Sequence, residues 1–333
     1  MQRTGMMILA AASGAALVGM VNQSLAQSLY VTDQQSGVTI LDGATLARIG
    51  AIAIGGQGAR GVAVTHDGKF LLTANQGTGD LSIIDRATGV LSARVPIGPS
   101  PEMVRSDAHT AYVTYEPRTG KDDLAQIAIV DIDRHAVTRT VPSGHETEGI
   151  AFSADGKAML VANEGDNTVS VYALPGATLT QKIETSPYGT RPRGINRSPD
   201  GDTYVVSLEL SNKILVLDRS FSVIRSVATD DGPYGVAYSP DGTRLFVAAA
   251  RAGLIQAFDA KTFAHISDIP VGKRCWHFSF TADTRRIVAA CGRSEALFVV
   301  DAISLKPLQS IAGFKMPWGV VAYPNTSGTL DTR

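Results

Sequence analysis

The chain has 333 residues, of which 44% are hydrophobic and 18% are charged, a balance that excludes a disordered or fibrous protein. Its 30 lysine and arginine residues nearly match its 31 aspartate and glutamate residues. Because the sequence contains no long basic run, the charge pattern also argues against an extended nucleic-acid surface, and no nucleic-acid partner is expected.

Residues 1–26 differ in composition from the rest of the chain. Arg3 is followed by an apolar stretch rich in small residues at positions 6–21, and Ser24 and Ala26 fit the small-residue positions of a signal-peptidase site. The stretch is interrupted by glycines and is shorter than the roughly 20 apolar residues of a membrane span. We therefore predict a signal peptide over residues 1–26, no membrane span after its removal, and a periplasmic or secreted protein. An uncleaved anchor is the alternative.

A repeat covers the remainder of the chain. The segments GVAVTHDGK at residues 61–69 and GIAFSADGK at residues 149–157 align without gaps. A period of 40–45 residues with several short strands per repeat is typical of β-propellers. The aligned copies open at residues 61, 102, 149, 194, 235, 277 and 319, at steps of 41 to 47 residues.

The order of elements within each copy is constant. An inner strand such as VAY at residues 236–238 leads to an Asp-Gly turn, and two further strands follow, such as those at residues 245–248 and 254–258. An aspartate usually ends the third strand, and we interpret these aspartates as caps of their own turns rather than as metal ligands. They are Asp42, Asp85, Asp131, Asp218, Asp259 and Asp301.

The two ends of the chain complete the last copy. It stops after residues 320–323, and its missing strands align with residues 29–32 and 38–42. The sequence therefore predicts an all-β fold, a seven-bladed β-propeller of four-stranded antiparallel blades over residues 27–325, with the last blade closed by N- and C-terminal strands. Such closure removes free sheet edges that invite aggregation. Residues 326–333 are expected to form a flexible C-terminal tail.

Short motifs connect the repeats to a known family. YVT at residues 30–32, AYVT at 111–114 and ANEGDNTVSV at 162–171 resemble the YVTN-repeat β-propeller family of bacterial secreted proteins, over essentially the whole mature chain. The resemblance implies the propeller fold and export, and it is unspecific for activity because this fold hosts many functions. Since such proteins often accompany exported redox enzymes, it also implies a candidate accessory role in a periplasmic redox system.

The loops of one face carry the chemically varied side chains. In a propeller, the loop that leads into each inner strand and the loop between the second and third strands open on the same face, at the mouth of the central channel. Aromatic side chains beside arginines at the channel mouth predict a binding site for a small molecule or a periplasmic protein. The propeller is expected to be a monomer. The candidate binding residues are Arg60, Glu148, Tyr234, Arg274, Trp276, His277 and Trp318. The alternative is that long loops simply collect polar residues. The opposite face is expected to consist mostly of uniform Asp-Gly and Asp-x-Thr turns.

One segment is similar to the lactonase-type propellers, which include 6-phosphogluconolactonase and fungal carboxymuconate-lactonising enzymes. RPRG at residues 191–194 and Glu-Leu at residues 209–210 match that family's Pro-Arg before an inner strand and its later Glu-Leu. The resemblance implies a lactone hydrolase or cycloisomerase acting on a carboxylated lactone. In that mechanism arginines bind a carboxylate and stabilise negative charge, while a histidine or glutamate moves a proton. The catalytic candidates are His145, Arg193, Glu209 and Arg251.

The segment also departs from the lactonase pattern. Glu146 and Glu148 follow His145 where the family is richer in histidine, and a glycine follows Arg193 in place of a histidine. Arg193 and Glu209 are also expected on neighbouring antiparallel strands, so a cross-strand ion pair explains both residues without catalysis. Whether the protein is an enzyme stays open on the sequence alone.

The two cysteines flank one predicted hairpin. Cys275 and Cys291 lie on either side of the turn at residues 282–285, and an oxidising compartment favours a disulfide between them. A soft-metal site with His277 and Met316 is the alternative. The sequence has no phosphate loop, zinc motif, haem-attachment motif or quinone-type blade repeat, so no cofactor and no metal are predicted.

Overall fold

The computed structural model describes residues 27–116, 123–324 and 327–330. These residues form 28 strands in seven four-stranded antiparallel sheets, so the prediction of a seven-bladed β-propeller is confirmed. The predicted signal peptide at residues 1–26 lies outside the described residues. Within them, no helix is long and apolar enough to cross a membrane.

The strands of each blade are given from the axis outward. Blade 1 contains β4 (Ala59–Val64), β5 (Phe70–Asn75), β6 (Asp80–Asp85) and β7 (Val90–Pro96). Blade 2 contains β8 (Pro101–Ser106), β9 (Thr110–Tyr115), β10 (Gln126–Asp131) and β11 (Ala136–Pro142). Blade 3 contains β12 (Thr147–Phe152), β13 (Ala158–Asn163), β14 (Thr168–Ala173) and β15 (Thr178–Glu184). Blade 4 contains β16 (Pro192–Arg197), β17 (Thr203–Leu208), β18 (Lys213–Asp218) and β19 (Val223–Ala228).

The remaining three blades repeat this plan. Blade 5 contains β20 (Pro233–Tyr238), β21 (Arg244–Ala249), β22 (Leu254–Asp259) and β23 (His265–Pro270). Blade 6 contains β24 (Cys275–Phe280), β25 (Arg286–Cys291), β26 (Ala296–Asp301) and β27 (Lys306–Ala312). Blade 7 contains β28 (Pro317–Tyr323), β1 (Ser28–Asp33), β2 (Gly37–Asp42) and β3 (Arg48–Ile52). Short 3-10 turns follow β17 at Glu209–Ser211 and β25 at Gly292–Ser294.

Blade 7 closes the ring as the repeat predicts. Its inner strand comes from the C-terminal part of the chain and its outer three strands from the N-terminal part, with Leu29 opposite Ala322 and Tyr30 opposite Val321. Pairing between distant parts of the chain completes the fourth strand of blade 7, so all seven sheets of the ring have four strands.

Each inner strand carries an irregularity near its start. In blade 4, Pro192 is opposite Leu208 and Ile195 is opposite Val206, so two residues of β16 face one residue of β17. Such a bulge bends the strand and re-aims the side chain at the extra position. Register shifts at the same place occur in the other blades. The bulge therefore sets which side chains reach the axis.

The glycine that opens most copies is required by close packing between inner strands. A Cβ atom on Gly61 would lie 2.7 Å from the carbonyl oxygen of Glu102 on the next blade, which is closer than real Cβ contacts. A side chain here would push the inner strands apart. The repeated small residue thus reflects the narrow inner radius of the ring.

The aspartates at the ends of the third strands cap turns. In blade 5, the side chain of Asp259 accepts hydrogen bonds from the backbone N–H groups of Lys261 (3.0 Å) and Thr262 (2.7 Å). The corresponding aspartates of the five other blades make equivalent bonds at 2.7–3.1 Å. Blade 3 differs, because its third strand ends at Ala173 and Leu174 follows.

Residues 327–330 differ from the expected flexible tail. Ser327, Thr329 and Leu330 are almost completely buried. The backbone N–H of Thr329 donates to the carbonyl oxygen of Phe278 at 2.9 Å, and Arg105 donates to the carbonyl oxygen of Thr329 at 3.0 Å. The short segment therefore adds to the inner strand of blade 6 inside the channel. It satisfies backbone groups on the axis side of β24 that have no neighbouring strand.

The predicted disulfide is present in blade 6. Cys275 and Cys291 lie directly opposite each other on β24 and β25 and are disulfide-bonded, so no free cysteine remains. The bond ties the inner strand to its neighbour at the mouth end of the blade. It also removes the thiolates that the soft-metal alternative would need.

Candidate functional site

The bulges bring one side chain from every blade to the mouth of the channel. In each blade this is the second residue of the inner strand. We call these seven residues the inner ring: Arg60, Glu102, Glu148, Arg193, Tyr234, Trp276 and Trp318. Ion pairs join members on adjacent blades, Arg60 with Glu102 and Arg193 with Glu148. These pairs join four of the seven members to a neighbour on an adjacent blade.

A second set of side chains lies just outside the inner ring. These are the residues that directly follow the second strands, and in blades 2, 3 and 4 they are Glu116, Glu164 and Glu209. Blades 5 and 6 have the small residues Ala250 and Gly292 at this position. The mouth is therefore asymmetric, with its acidic groups concentrated on three adjacent blades.

Arg193 is the centre of the ionic network at the mouth. Its Nε donates to Glu209 Oε2 at 2.6 Å and its Nη1 donates to Glu148 Oε1 at 2.7 Å. Nη1 also pairs with Glu164 and donates to the hydroxyl of Tyr234 at 3.1 Å. Burial works to lower the pKa of Arg193, but Tyr234 and the surrounding glutamates raise it above its ordinary value. The guanidinium is therefore permanently charged and fixed by three carboxyl groups.

Glu209 collects four arginines. Besides Arg193, its carboxyl oxygens lie 3.3 Å from Arg191 Nε, 3.3 Å from Arg251 Nη1 and 3.4 Å from Arg274 Nη1. Burial works to raise the pKa of Glu209, yet the arginines together hold it below its ordinary value. One ionised carboxylate thus faces four guanidinium groups. An anion that enters beside Glu209 would find cationic hydrogen-bond donors already in place.

The rim arginines differ from Arg193 in exposure. The side chains of Arg191, Arg251 and Arg274 are 33%, 27% and 31% exposed, against 13% for Arg193. Their accessible edges face the solvent side of the mouth. We call these three residues the rim arginines, and they are the groups that a dissolved ligand meets first.

Glu148 and Glu164 form a buried carboxyl pair. Both carboxyl groups pair with Arg193 Nη1, which brings them next to each other in the buried part of the mouth. Burial and then the charge of Glu148 raise the pKa of Glu164 to about 10, against the opposing charges of Arg193 and Arg191. Glu164 is thus an acid at neutral pH, in contact with the arginine network.

A further carboxyl group with an altered pKa belongs to blade 2. Burial and the neighbouring Glu148 raise the pKa of Glu102 to about 7, although its partner Arg60 works in the opposite direction. Gln76 donates a hydrogen bond to the same carboxyl at 2.8 Å. The network therefore holds a second group that exchanges a proton near neutral pH.

The catalytic candidates are only partly brought together. Arg193, Glu209 and Arg251 share one network, and the ion pair between Arg193 and Glu209 that the strand positions predict is present. His145 lies at the same mouth, where its Nδ1 is 2.5 Å from Asp166 Oδ1. A carboxylate of its own blade thus orients the imidazole.

The candidate binding residues divide into two layers. Arg60, Arg274 and Trp276 are partly exposed. The other four are almost completely buried and form the floor beneath the rim rather than an open surface: Glu148, Tyr234, His277 and Trp318. The ring of His277 lies 4.3 Å from that of Trp318 and 5.4 Å from that of Tyr234. Burial and then the charge of Arg105 lower the pKa of His277 well below its ordinary value, so this histidine is neutral.

Three contributors were not among the sequence candidates. The sequence places Glu164 and Arg191 in the loops of the mouth face without singling them out, although Glu164 occupies the same position after its second strand as Glu209 does. Glu102 was aligned one residue out of register, because the structure places it with Arg60 and places Met103 with the repeated glycine. Because methionine replaces the repeated glycine in this copy, the sequence alone does not show that Met103 is the equivalent position.

The comparisons agree with this geometry at the level of the fold. Residues 106–223 match the model of a family described as "Lactonase, 7-bladed beta-propeller". The match covers about a third of the chain, and over that segment the chain is similar to this family. The matched segment contains His145, Glu148, Glu164, Arg193 and Glu209. No curated protein matches the chain.

Solved structures extend the similarity to most of the chain. A putative 6-phosphogluconolactonase from Bacteroides uniformis is 17% identical, with a TM-score of 0.76, and the match covers 89% of this chain and 99% of that one. The periplasmic gluconolactonase PpgL of Pseudomonas aeruginosa is 18% identical, with a TM-score of 0.75 and coverage of 89% and 98%. Hydrazine synthase of Kuenenia stuttgartiensis is 19% identical, with a TM-score of 0.69 and coverage of 85% and 93%. These identities show a common propeller fold.

The donor set at the mouth does not indicate a metal centre. Among residues 27–116, 123–324 and 327–330, no group of three or more histidine, cysteine, aspartate or glutamate side chains is arranged to hold a metal ion. The clustered glutamates are instead paired with arginines. The chemistry available here is anion binding and proton transfer.

Proposed function

We propose that this protein binds a small carboxylated lactone at the mouth of the channel and hydrolyses it. The observation that carries the proposal is the sharing of Glu209 by four arginines, two of which, Arg191 and Arg193, also pair with Glu164. The lactonase family match and the two lactonase-named neighbours are consistent with this substrate class. A periplasmic protein at the mouth, or ligand binding without turnover, are the competing outcomes.

The rim arginines are the proposed anion site. A substrate carboxylate would replace water at Arg251 and Arg274, both of which are held in place by Glu209. Positioning by fixed guanidinium groups lowers the entropic cost of reaching the reactive geometry. A guanidinium beside the lactone carbonyl would also stabilise the oxyanion that forms when water adds.

Proton transfer would use the two acid–base groups at the mouth. His145, whose Nδ1 is held by Asp166, is the group proposed to take a proton from the attacking water. Water adds to the carbonyl carbon, the bond from that carbon to the ring oxygen breaks, and the ring oxygen takes a proton. Glu164 is the donor of that proton, and the product is a hydroxy acid.

The test compares lactones with and without a carboxylate. Hydrolysis of γ-butyrolactone and of its carboxylated derivative, followed by pH-stat, should show a preference for the charged compound. Arg274→Leu should lower kcat/KM for the carboxylated lactone by about 10- to 100-fold, which is the value of a charge-assisted hydrogen bond. His145→Asn should lower kcat with little change in KM.

The matched control is Arg219→Leu. Arg219 is an exposed arginine that pairs with Asp202 in the turns of the opposite face, and its loss should leave kcat/KM unchanged. Equal rates for Arg274→Leu and Arg219→Leu, or hydrolysis no faster than in buffer, would reject lactone hydrolysis. Binding of the carboxylated lactone without turnover would leave only the ligand-binding part.

Export, a monomeric state and a role beside a redox system stay predictions. The disulfide between Cys275 and Cys291 supports an oxidising compartment outside the cytoplasm. The relation to hydrazine synthase is one of fold alone. Cell fractionation and size-exclusion chromatography of the mature protein test the first two predictions directly.

A further inference from the structure

The face opposite the mouth, expected to consist of uniform turns, contains an apolar cavity. It has a volume of about 390 Å³ and lies between the hairpin ends of blades 2 and 3. Its lining residues are His66, Ser106, Asp107, Tyr112, Phe152, Ser153, Ala154, Gly156, Leu174 and Arg197. The volume falls within the range of small-molecule sites, which are mostly apolar with a few placed polar groups.

The apolar wall of the cavity arises where blade 3 departs from the repeat. The six other blades end their third strand with a turn-capping aspartate, whereas blade 3 has Ala173 followed by Leu174. Leu174 lines the cavity together with Tyr112 and Phe152, whose rings are 5.5 Å apart in an edge-to-face arrangement. An aromatic ring of a ligand would find flat apolar partners here.

Two kinds of polar group line the same cavity. Arg197 is half-buried, and the one hydrogen bond described for its side chain is a long one of 3.4 Å to the carbonyl oxygen of Phe152. The hydroxyl of Ser106, in the cavity wall, is completely buried and has no hydrogen-bond partner among the described residues. A buried hydroxyl without a partner costs free energy, so rotation of the Ser106 side chain toward a ligand hydroxyl would be favoured.

The acidic group in the cavity restricts the ligand further. One oxygen of Asp107 accepts hydrogen bonds from the backbone N–H groups of His109 (2.8 Å) and Thr110 (2.7 Å). The carboxylate is therefore fixed as part of the turn next to Ser106 and would repel a ligand anion at that end. The carboxylate of a ligand belongs at Arg197, and a ligand O–H belongs at the end with Ser106 and Asp107.

We propose that this cavity is a second binding site, separate from the mouth, for small aromatic carboxylates that also carry a ring hydroxyl. The ring packs against Tyr112, Phe152 and Leu174, and the carboxylate pairs with Arg197. The hydroxyl group contacts the turn that contains Ser106. This assignment goes beyond lactone hydrolysis and does not depend on it.

Isothermal titration calorimetry with 4-hydroxybenzoate, benzoate and phenol tests the site in the full mature chain. The wild-type protein should bind 4-hydroxybenzoate more tightly than either relative. Arg197→Leu should weaken 4-hydroxybenzoate at least about tenfold while leaving phenol unchanged, because only the charge-assisted pair is lost. Ser106→Ala should reduce the preference for 4-hydroxybenzoate over benzoate without lowering the melting temperature.

Arg219→Leu is the matched control, since it removes an exposed arginine that pairs with Asp202 and does not line the cavity. Its affinity for 4-hydroxybenzoate should equal that of the wild type. Binding that is lost in Arg274→Leu and kept in Arg197→Leu would place the ligand at the mouth and overturn the proposal. Absence of binding by all three compounds at millimolar concentration would overturn it as well.

Discussion

Replacing Arg193 by methionine is the sharpest test of the ionic network at the mouth. The change keeps much of the apolar stem but removes the guanidinium that contacts Glu209 at 2.6 Å and Glu148 at 2.7 Å. Glu209 keeps the rim arginines, whereas Glu148 loses its only ion pair among the described residues. Breaking a buried pair by removing one partner costs about 3–5 kcal/mol, because a charge stays buried without compensation. We expect Arg193→Met to lose that much of its free energy of unfolding at pH 8.

The sign of the pH dependence distinguishes this mechanism from a simple packing defect. Without Arg193, the neutral form of the buried carboxyl groups left beside it is favoured in the folded state, because burial disfavours a charge that has no partner, whereas in the unfolded chain a glutamate titrates at about 4.3. The folded variant then binds extra protons, so its stability falls as the pH rises above about 4.3. The deficit against the wild type should therefore be smaller at pH 5 than at pH 8.

Urea unfolding followed by tryptophan fluorescence at the two pH values measures both quantities. Arg219→Met is the matched control: its side chain is 72% exposed, and loss of its surface pair should cost no more than about 1 kcal/mol at either pH. Adding Glu148→Gln to Arg193→Met should restore part of the lost stability. A deficit that is independent of pH, or no larger than that of the control, would refute the reasoning.

The remaining predictions concern other parts of the molecule. Because burial raises the pKa of Glu102 to about 7, wild-type stability should fall between pH 5 and pH 7.5, and Glu102→Gln should make this slope shallower in urea titrations; an unchanged slope would contradict it. Replacing Cys275 and Cys291 by alanine should lower the free energy of unfolding by about 3 kcal/mol, since the bond closes a loop with a sequence separation of 16; oxidised and reduced wild type give the check. Thr329→Val should cost about 1–3 kcal/mol because its hydroxyl is hydrogen-bonded to Phe278 and His277 in the channel, and an unchanged melting temperature would argue against a packed tail.

The fold was predictable because local signals repeat. Short apolar strands recur in all seven copies, and Asp-Gly turns between the first and second strands recur in four of them, at residues 67–68, 155–156, 200–201 and 241–242, so the copies support one another. The closure of blade 7 and the disulfide follow from the same alignment, because register along a hairpin places Cys275 opposite Cys291. In the second copy Met103 replaces the repeated glycine. The sequence alignment of this copy is therefore wrong by one residue, and it does not assign Glu102 to the inner ring.

The site was predictable only in outline. Sequence positions place Arg193 beside Glu209, because the two strands are adjacent. The convergence of Arg251 and Arg274 on the same carboxylate depends on the spacing between blades, which no single repeat encodes. Predicting that Glu148 and Glu164 lie next to each other likewise requires knowing how deeply each side chain is buried below the rim. A polar Ser-Gly-Thr segment at residues 327–329 gives no apolar signal for burial, because its partners are backbone groups.

The buried segment at residues 327–330 affects how ligands reach the two faces of the propeller. It is hydrogen-bonded to Arg105, Asn196 and Phe278, which belong to blades 2, 4 and 6, so it connects three inner strands across the central channel. The segment and the packed aromatic floor of the mouth both lie between the two faces of the ring. We therefore expect a ligand at the arginine-rich mouth and a ligand in the cavity of the opposite face to bind independently, each entering from its own side.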